Sequence, residues 1–406
     1  MVRYMQSAAA RASLAAALAF LVAGGAAAQK KYDPGATDTE IKIGQTMPYS
    51  GGASAYGTIG RSEAAYFKLI NEQGGVNGRK INLISLDDGL SPPKTVEQTR
   101  RLVEQDNVLF MFQMLGTPTS IAARKYLNAA KVPQLFVASG ATAWTDYEHY
   151  PWTIGWQPNY QTEAHVYARY ILEHKPDAKI AILYQNDDFG KDYIKGLRDV
   201  FGDKADKLIV ATVSYEANDP TVESQVVTLA GSGATVWFNG ATPKYAAQSI
   251  RKAYDIGWKP LQFLTSVSES VGAVLQPAGL EKAVGIISIG YLKDPTDPQW
   301  QNEQGFKDWA AWMKKYYPEG NTADIYNVWG YSAATTLIYV LKQCGDNLTR
   351  ENVMHEATNI KELKLPLLLP GITLGTSPTH YAPISSLQLQ RFDGKNWVLF
   401  GDVIGG

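Results

Sequence analysis

Apolar and polar residues alternate along the first half of this chain in a regular series of short and long segments. The spacing of apolar residues predicts helices over 63–73, 93–105 and 119–130. Between them lie short β-branched runs that predict strands: "EIKIGQTM", "KINLISLDD", "NVLFMFQM" and "VPQLFVAS". A strand and helix alternation of this kind predicts a parallel sheet covered by helices on both faces.

The alternation restarts after an aromatic and glycine-rich stretch, "GATAWTDYEHYPWTIGWQPNYQ". Helices are predicted from about Phe189, over 222–230 and over 244–256. The predicted strands of this second series are "AKIAILYQ", "KLIVATVSY", "ATVWFNG", "LQFLTS" and "AVGIISIGYL". Two α/β sheets of similar size predict two lobes, and open α/β sheets bind ligands at the carboxyl ends of their strands. The cleft between the lobes is therefore the predicted site.

The last quarter of the chain changes character. Helical spacing covers 299–317, 323–344 and 350–357, and "SSLQLQRFDGKNWVLFGDVI" predicts a β-hairpin that turns at Asp393 and Gly394. These helices come after both series of strands and helices are complete. We therefore predict that the backbone crosses between the lobes more than once, so that the connection is a hinge. We assign 29–157 and 291–375 to lobe 1, and 158–290 and 376–406 to lobe 2.

The first 28 residues have the three parts of a secretory signal peptide. Arg3 and Arg11 precede or flank an apolar stretch over 14–22, and Ala26 to Ala28 offer a small-residue cleavage site. The apolar stretch is shorter than the roughly 18 to 20 residues of a membrane-spanning helix. Cleavage near Ala28, export to the periplasm and, since Gln29 is not cysteine, no lipid attachment are expected.

Charge and cysteine content narrow the function classes. Without Arg3 and Arg11 the chain keeps 36 basic and 39 acidic residues, a net charge of about −3. This balance argues against nucleic acid and anionic membrane surfaces as partners. The single cysteine, Cys344, has no partner in the chain for a disulfide and is predicted to be a buried, small apolar residue.

The loop "GGASAYGTIG" after the first strand resembles half of a nucleotide-binding motif. A phosphate loop needs lysine and a hydroxyl residue where this chain has Thr58 and Ile59, and a dinucleotide fingerprint needs glycine in place of Ala55. Asp87 and Asp88 after the next strand are either a solvated loop or a ribose partner. The loop alone therefore predicts no nucleotide cofactor.

Motifs of metal sites and hydrolases are also missing from the sequence. There is no H-E-x-x-H, C-x-x-C or G-x-S-x-G, and the histidines are scattered, at positions 149, 165, 174, 355 and 380. We expect no cofactor, no metal and no enzymatic activity. A Ser-His-Asp triad need not be visible in a sequence, so an exported α/β hydrolase stays an alternative.

Several segments together resemble the periplasmic solute-binding proteins of branched-chain amino acid type ABC importers. These are "PYSGGASAYG", "NEQGGVNG", "MLGTPTS", "FVASGATAW", "NDDFGKDY" and "WFNGATPKY", in this order along the whole chain after the signal peptide. The resemblance implies an α/β, two-lobe type I periplasmic binding protein, leucine-binding-protein-like, with a parallel sheet flanked by helices in each lobe and a multi-strand hinge. It also implies a monomer that works with membrane permease and ATPase subunits.

The resemblance also implies the ligand-binding residues. A ligand carboxylate would be held by loop hydroxyls and backbone N–H groups at helix starts, which bind anions without a lysine. Tyr56 would form an aromatic wall of lobe 1, and Phe189 the matching wall of lobe 2. Tyr160 and some of Trp144, Trp152 and Trp156 would line the rim near the first crossover. The remaining implied residues are Leu115, Gly116, Thr117, Ser139, Gly140, Ala141, Thr142 and Thr242.

One segment departs from the amino-acid binders that the chain resembles. Those proteins place an acidic residue after the strand that matches "LQFLT", where it pairs with the ligand's ammonium group; here Ser268 takes that position and Glu269 follows. A buried ammonium group without a counter-charge is costly. The expected ligand is therefore a carboxylate without an amino group, with an aromatic acid such as a benzoate or phenylpropenoate first and a branched-chain amino acid next.

Together these observations predict the periplasmic substrate-binding component of an ABC importer, which captures a small carboxylate by hinge closure. A ligand-sensing protein of the same fold is the main alternative. An importer component would hand the ligand to a permease, whereas a sensor would signal through an output partner.

Overall fold

The computed structural model describes residues 30–405, so the predicted signal peptide lies outside the described residues. The strands are β1 Lys31–Tyr32, β2 Glu40–Met47, β3 Lys80–Asp87, β4 Phe110–Phe112, β5 Gln134–Val137, β6 Thr153–Gly155, β7 Ile180–Gln185, β8 Ile209–Tyr215, β9 Val236–Gly240, β10 Leu261–Leu264, β11 Ile287–Gly290, β12 Asn347–Leu348, β13 Ser386–Phe392 and β14 Trp397–Gly405. They form two large sheets and one small pair, β1 with β12.

Helices cover the faces of both large sheets. The α-helices are α1 Gly57–Glu72, α2 Pro92–Glu104, α3 Thr117–Ala129, α4 Tyr160–His174, α5 Asp188–Phe201, α6 Ala205–Leu208, α7 Glu223–Gly231, α8 Pro243–Asp255, α9 Gln276–Ala278, α10 Gln304–Tyr316, α11 Ile325–Cys344 and α12 Arg350–Ala357. Short 3₁₀ or π turns occur at Ser54–Tyr56, Thr142–Thr145, Gly202–Lys204, Ser266–Ser268, Val271–Leu275, Leu280–Lys282 and Pro298–Trp300.

The two large sheets repeat one topology. Lobe 1 contains a five-stranded parallel sheet in the order β3-β2-β4-β5-β6. Lobe 2 contains the parallel order β8-β7-β9-β10-β11, to which the β13–β14 hairpin adds two antiparallel strands beside β11. In each sheet the strand order reverses beside the strand that comes first in the chain. The reversal lies between β2 and β4 in lobe 1, and between β7 and β9 in lobe 2. Such a switch point opens a crevice at the carboxyl ends of the strands.

Late helices return to lobe 1, as predicted. Helix α11 packs closely along α1: Ser62 Oγ donates to the Asn327 carbonyl at 2.8 Å, and a Cβ at Gly330 would lie 2.6 Å from the Ile59 carbonyl oxygen. The chain thus leaves lobe 2 after β11, builds part of lobe 1, and re-enters lobe 2 at β13. The residue bounds assigned to the two lobes stay a prediction.

The crossovers lie side by side. Leu369 N–H donates to the Tyr291 carbonyl at 2.9 Å, and Leu292 pairs with Leu368 in an antiparallel bridge. Trp156 of the first crossover lies 6.2 Å, centroid to centroid, from the Tyr291 ring of the second. Neighbouring segments joined in this way form a multi-strand hinge.

The structure confirms most predicted elements and adds some. Helix α12 has its predicted bounds, and the hairpin turns where Asp393 Oδ1 accepts from the N–H groups of Lys395 and Asn396, with Gly394 at φ 105°. Helix α4 and strand β6 were not predicted, because both lie in or next to the aromatic and glycine-rich stretch, which has no clear period. Strands β1 and β12 have only two residues each, too few to show a pattern.

Two predictions about single residues have opposite outcomes. Cys344 is buried, as predicted, and burial raises the pKa of its thiol to about 12. Asp88 is fully buried, however, which corrects the solvated-loop interpretation for this residue. Its carboxylate accepts from Leu90 N–H at 2.9 Å and from Thr95 Oγ at 2.7 Å, so it fixes the turn between β3 and α2.

No helix within residues 30–405 combines the length and the apolar character that a membrane crossing needs.

Candidate functional site

A small cavity of about 40 Å³ lies between the lobes. Its lobe 1 wall consists of Tyr56, Leu90, residues 115–118, Ala138 and Trp329. Its lobe 2 wall consists of Tyr160, Gln185, Phe189, Thr242 and Val267. This volume is below the roughly 300 to 1,000 Å³ of typical small-molecule sites, so a ligand would need the lobes to part further.

The cavity joins the two topological switch points. In lobe 1, Tyr56 follows β2 and Gly116 follows β4; in lobe 2, Gln185 ends β7 and Thr242 follows β9. These four strands are the pairs between which the strand order reverses. The repeated topology therefore brings two crevices face to face, and seven of the twelve predicted residues line the space between them: Tyr56, Leu115, Gly116, Thr117, Tyr160, Phe189 and Thr242.

The start of α3 presents hydrogen-bond donors to the cavity. Gly116 precedes the helix at φ 99°, and a Cβ there would lie 2.6 Å from both the Leu90 Cδ1 and Thr119 Oγ1 atoms, so this position needs glycine. The first-turn N–H groups of Thr117 and Thr119 have no intrahelical acceptor and carry a partial positive charge, whereas Pro118 between them has no N–H. The Thr117 and Ser139 hydroxyl groups bond one another at 2.7 Å, so one of their two hydrogens is used. With Ser139 as the donor, the Thr117 hydrogen is left for the cavity, whose wall includes Thr117. This arrangement suits an oxyanion.

The equivalent helix start in lobe 2 is already capped. Asp187 Oδ1 accepts from the N–H groups of Phe189 at 3.0 Å and Gly190 at 3.3 Å, at the start of α5. The donors of α5 are thus satisfied by a protein carboxylate. Phe189 instead contributes its ring, which meets the Tyr160 ring edge-on at 5.1 Å.

Aromatic rings form much of the remaining wall. Tyr56 packs against Tyr326 with ring centroids 5.2 Å apart, and burial raises the pKa of Tyr56 well above its usual value. Trp329 stacks on Trp156 at 6.1 Å, so the hinge side of the cavity is also aromatic. Buried aromatic walls favour a ligand with a substantial apolar part.

Five predicted residues lie behind the wall and not in it. Ser139 Oγ bonds Thr117 and accepts from Ala141 N–H at 3.2 Å. A Cβ at Gly140 would lie 2.2 Å from the Pro158 carbonyl oxygen, so Gly140 permits close contact with the first crossover. Thr142 N–H donates to Asp192 Oδ2 of α5 at 2.7 Å, which links the lobes. Ser268 Oγ donates to the Ala241 carbonyl at 2.6 Å.

The residues expected to face a ligand ammonium group lie elsewhere. Glu269 is buried outside the cavity wall, where its Oε2 accepts from Ser288 Oγ at 3.1 Å and from Gln390 Nε2 at 2.6 Å. Burial raises the pKa of Glu269 well above its usual value. The residue of this segment that lines the cavity is Val267, and none of the described residues in the wall carries a formal charge.

Several wall residues were missed by the sequence analysis: Leu90, Pro118, Ala138, Gln185, Val267 and Trp329. Gln185 could have been found, because it ends the first strand of the second series, next to the expected switch point. Trp329 gave no local signal, since it lies inside a helix that is apolar on most sides. Trp144, Trp152 and Trp156 do not line the cavity, whereas Tyr160 of the same predicted cluster does.

The lobes meet beside the cavity along a closure seam, which we define as residues 266–272 of lobe 2 and 321–326 of lobe 1. Gly272 N–H donates to the Ala323 carbonyl at 2.9 Å, Ser270 Oγ donates to Asp324 Oδ1 at 2.8 Å, and Tyr326 Oη donates to the Val267 carbonyl at 2.6 Å. Burial raises the pKa of Asp324 to about 6. Val267 lines the cavity and Tyr326 supports Tyr56, so the seam and the cavity share residues.

Metal-ligand chemistry is not apparent in the described part of the chain. Within residues 30–405, no three His, Cys, Asp or Glu side chains are grouped as metal ligands would be. The site consists of hydroxyl, amide, backbone and aromatic groups, which bind by hydrogen bonding and apolar contact.

Comparison with known proteins agrees with this architecture. The sequence pattern of the periplasmic binding protein family matches residues 40–396. The chain belongs to this family. A curated relative of this family member, the Leu/Ile/Val-binding protein homolog 1 of Brucella suis biovar 1 (strain 1330), is 25% identical over 328 residues, which are 78% of this chain and 82% of the relative.

Solved structures of similar proteins share the family member's fold. A branched-chain amino acid ABC transporter protein from Thermus thermophilus with bound valine has a TM-score of 0.81 at 15% identity, covering 91% of this chain and 98% of that one. A solute-binding protein of an ABC transporter from R. palustris in complex with benzoate has a TM-score of 0.75 at 16% identity, covering 90% and 98%. At these identities the likeness concerns the fold, an α/β protein of two lobes.

Proposed function

We propose that this chain is the substrate-binding component of an ABC importer, a binding protein and not an enzyme, which works in the periplasm with a permease and an ATPase. Membership of the periplasmic binding protein family supports the role as a binding protein for transport. We further propose that its ligand is a small carboxylate without an amino group, with an aromatic acid preferred to a branched-chain amino acid.

The observation that carries the ligand proposal is the distribution of charge and donors in the cavity wall. The N–H groups at the start of α3 and the Thr117 hydroxyl, which Ser139 supports from behind the wall, offer donors to an oxyanion. No carboxylate in the wall faces them, so an ammonium group would lose water without gaining a counter-charge. Aromatic rings supply the apolar surface that a ring-bearing acid would cover.

Ligand capture would follow from closure of the cleft. A ligand in the cavity touches Gly116 and Thr117 of lobe 1 and Phe189 and Thr242 of lobe 2 only when the lobes are together. It therefore favours the closed state by its differential affinity for the two states. Micromolar binding corresponds to about −8 kcal/mol, which hydrogen bonds to a carboxylate and an aromatic enclosure can supply.

A thermal-shift screen tests the proposal. The purified chain is heated with branched-chain amino acids, their amides, and aromatic acids such as benzoate and phenylpropenoate. At a hundred times the dissociation constant a ligand adds about 2.7 kcal/mol to the free energy of unfolding. Stabilisation by aromatic acids and not by leucine or valine is expected. The reverse pattern would contradict the ligand proposal, and turnover of chromogenic esters would contradict the binding-protein assignment.

A further inference from the structure

The lobe 2 wall contains a polar cluster that a purely apolar ligand tail would leave unused. Gln185, Tyr215 and Thr242 are 3%, 1% and 8% exposed, and Gln185 and Thr242 line the cavity. Tyr215 Oη accepts from Thr242 N–H at 2.9 Å and lies 3.2 Å from both the Gln185 Oε1 and Thr242 Oγ1 atoms. Gln185 and Thr242 lie on the wall that faces the start of α3, where we place the carboxylate, and Tyr215 supports them from behind.

The orientation of Gln185 is fixed from behind. Its Nε2 donates to Asp187 Oδ2 at 2.5 Å, and Asp187 is itself held by the N–H groups at the start of α5. The amide oxygen must then point towards Tyr215 and Thr242. Because a locked side chain has already lost its rotamer freedom, a ligand that bonds it bears little further entropic cost.

Hydrogen-bond counting leaves Thr242 with unused capacity. Two hydroxyl hydrogens, those of Tyr215 and Thr242, have one common acceptor in Gln185 Oε1, at 3.2 and 3.4 Å. The Tyr215 bond is the shorter, and a contact of 3.4 Å is weak for an O–H donor. Each hydroxyl also has two acceptor lone pairs. The Thr242 hydroxyl can therefore both give a hydrogen bond to a ligand oxygen and receive one.

We propose that Gln185, Tyr215 and Thr242 form a subsite for a hydroxyl substituent on the ligand, at the end remote from its carboxylate. A ligand hydroxyl group matches the subsite, because it can accept from Thr242 Oγ1 and donate to Thr242 or Gln185. The preferred substrate class is then a ring-hydroxylated aromatic acid. This inference rests on the proposed function, since it assumes that the carboxylate is bound at α3.

Isothermal titration calorimetry with matched acids tests the subsite. The pairs are benzoate with 4-hydroxybenzoate and 3-phenylpropanoate with 3-(4-hydroxyphenyl)propanoate, titrated into the full mature chain and into Thr242→Val and Thr242→Ser. In the unaltered protein the hydroxylated member of at least one pair should bind about tenfold more tightly. Thr242→Val keeps the shape without the hydroxyl, so within this variant the ratio of the two affinities should fall below about twofold, whatever the change in affinity for the parent acid; Thr242→Ser should retain the tenfold ratio.

The outcomes separate the subsite from the proposed function. If the parent acids bind and the hydroxyl gives no advantage, or if the advantage survives in Thr242→Val, the subsite is refuted while the carboxylate site stands. If no acid of either pair binds at millimolar concentration, both proposals fail. A melting temperature of Thr242→Val close to that of the unaltered chain shows that the variant is folded.

Discussion

Tyr56 illustrates at the residue scale how one side chain serves both packing and the site. It is 6% exposed, lines the cavity, and rests on Tyr326 of the closure seam. The glycines around it in "GGASAYGTIG" first suggested a phosphate loop. The structure shows instead that Gly52 approaches lobe 2, where a Cβ would lie 3.6 Å from both the Ala217 carbonyl oxygen and the Tyr245 hydroxyl.

Replacing Tyr56 should separate ring contact from hydroxyl contact. We expect Tyr56→Ala to weaken binding of an aromatic acid by about tenfold or more, because it removes buried apolar contact worth roughly 1.5 to 3 kcal/mol. Tyr56→Phe keeps the ring and should bind within about threefold of the unaltered chain. Calorimetric titration measures both, and unchanged affinity in a folded Tyr56→Ala would remove Tyr56 from the site.

Thr117 provides the corresponding test of the carboxylate end. Thr117→Val should weaken binding of an acid by about fivefold to tenfold, since it removes one hydrogen-bond donor to a charged group. Thr117→Ser, which keeps the hydroxyl, is the control. Thr117→Val should reduce the affinity for the primary amide of the same acid much less. An equal loss of affinity for acid and amide would argue against an oxyanion at this position.

At the element scale, one buried carboxylate ties α4 to its surroundings. Glu163 is fully buried and accepts hydrogen bonds at 2.7 to 2.8 Å from Ser266 N–H and Oγ, Tyr167 Oη and Tyr193 Oη. These partners lie on α4, on α5 and on the loop after β10. Burial raises the pKa of Glu163, against the opposing effect of the Ser266 hydrogen bonds.

Loss of this carboxylate should destabilise lobe 2. Glu163→Ala leaves the Ser266 N–H and Oγ without an acceptor and removes one hydrogen-bond partner from each of the Tyr167 and Tyr193 hydroxyls, which keep others. We expect a loss of about 3 kcal/mol in the free energy of unfolding. Glu173→Ala, on the same helix with a side chain that is 77% exposed, should change it by less than about 0.5 kcal/mol. Urea denaturation followed by circular dichroism compares the two, and equal stability would show that the network is not stabilising.

The elements also show what a sequence can and cannot reveal. The strands of both sheets gave clear apolar runs, because buried parallel strands are apolar on both faces. Helix α4 was missed because its apolar residues mix with tyrosines, histidines and a buried glutamate, whose burial depends on distant partners. At the site, residues next to strand ends were predictable from the switch-point rule, whereas Trp329 reaches the cavity only through the return of the chain to lobe 1.

At the scale of the whole molecule, we expect the closure seam to make ligand affinity depend on pH. Asp324 Oδ1 accepts from Ser270 Oγ of lobe 2 and from Tyr326 N–H. Burial raises the pKa of Asp324 from 3.8 to about 6 in the closed cleft. Opening the cleft would remove Ser270 and let water reach the carboxylate.

The sign of the pH effect follows from this shift. A carboxyl group with a raised pKa favours the closed state when protonated, so the closed state gains as pH falls from about 6 towards 4 and is unaffected above that window. Ligand affinity should therefore rise by up to about tenfold between pH 8 and pH 5. Asp324→Asn should flatten this dependence, which titrations across the pH range would measure. If affinity changed equally with pH in the unaltered chain and in Asp324→Asn, protonation of Asp324 would not affect closure.

The central claim is that the cleft binds a carboxylate and has no place for an ammonium group. Calorimetric titration with two matched pairs tests it most directly: 3-phenylpropanoate against phenylalanine, and 4-methylpentanoate against leucine. The members of a pair differ only in the amino group, and the cavity wall offers that group no counter-charge. We predict that the acid without the amino group binds at least about 100-fold more tightly in the aromatic pair. Equal or tighter binding of phenylalanine or leucine would contradict the account.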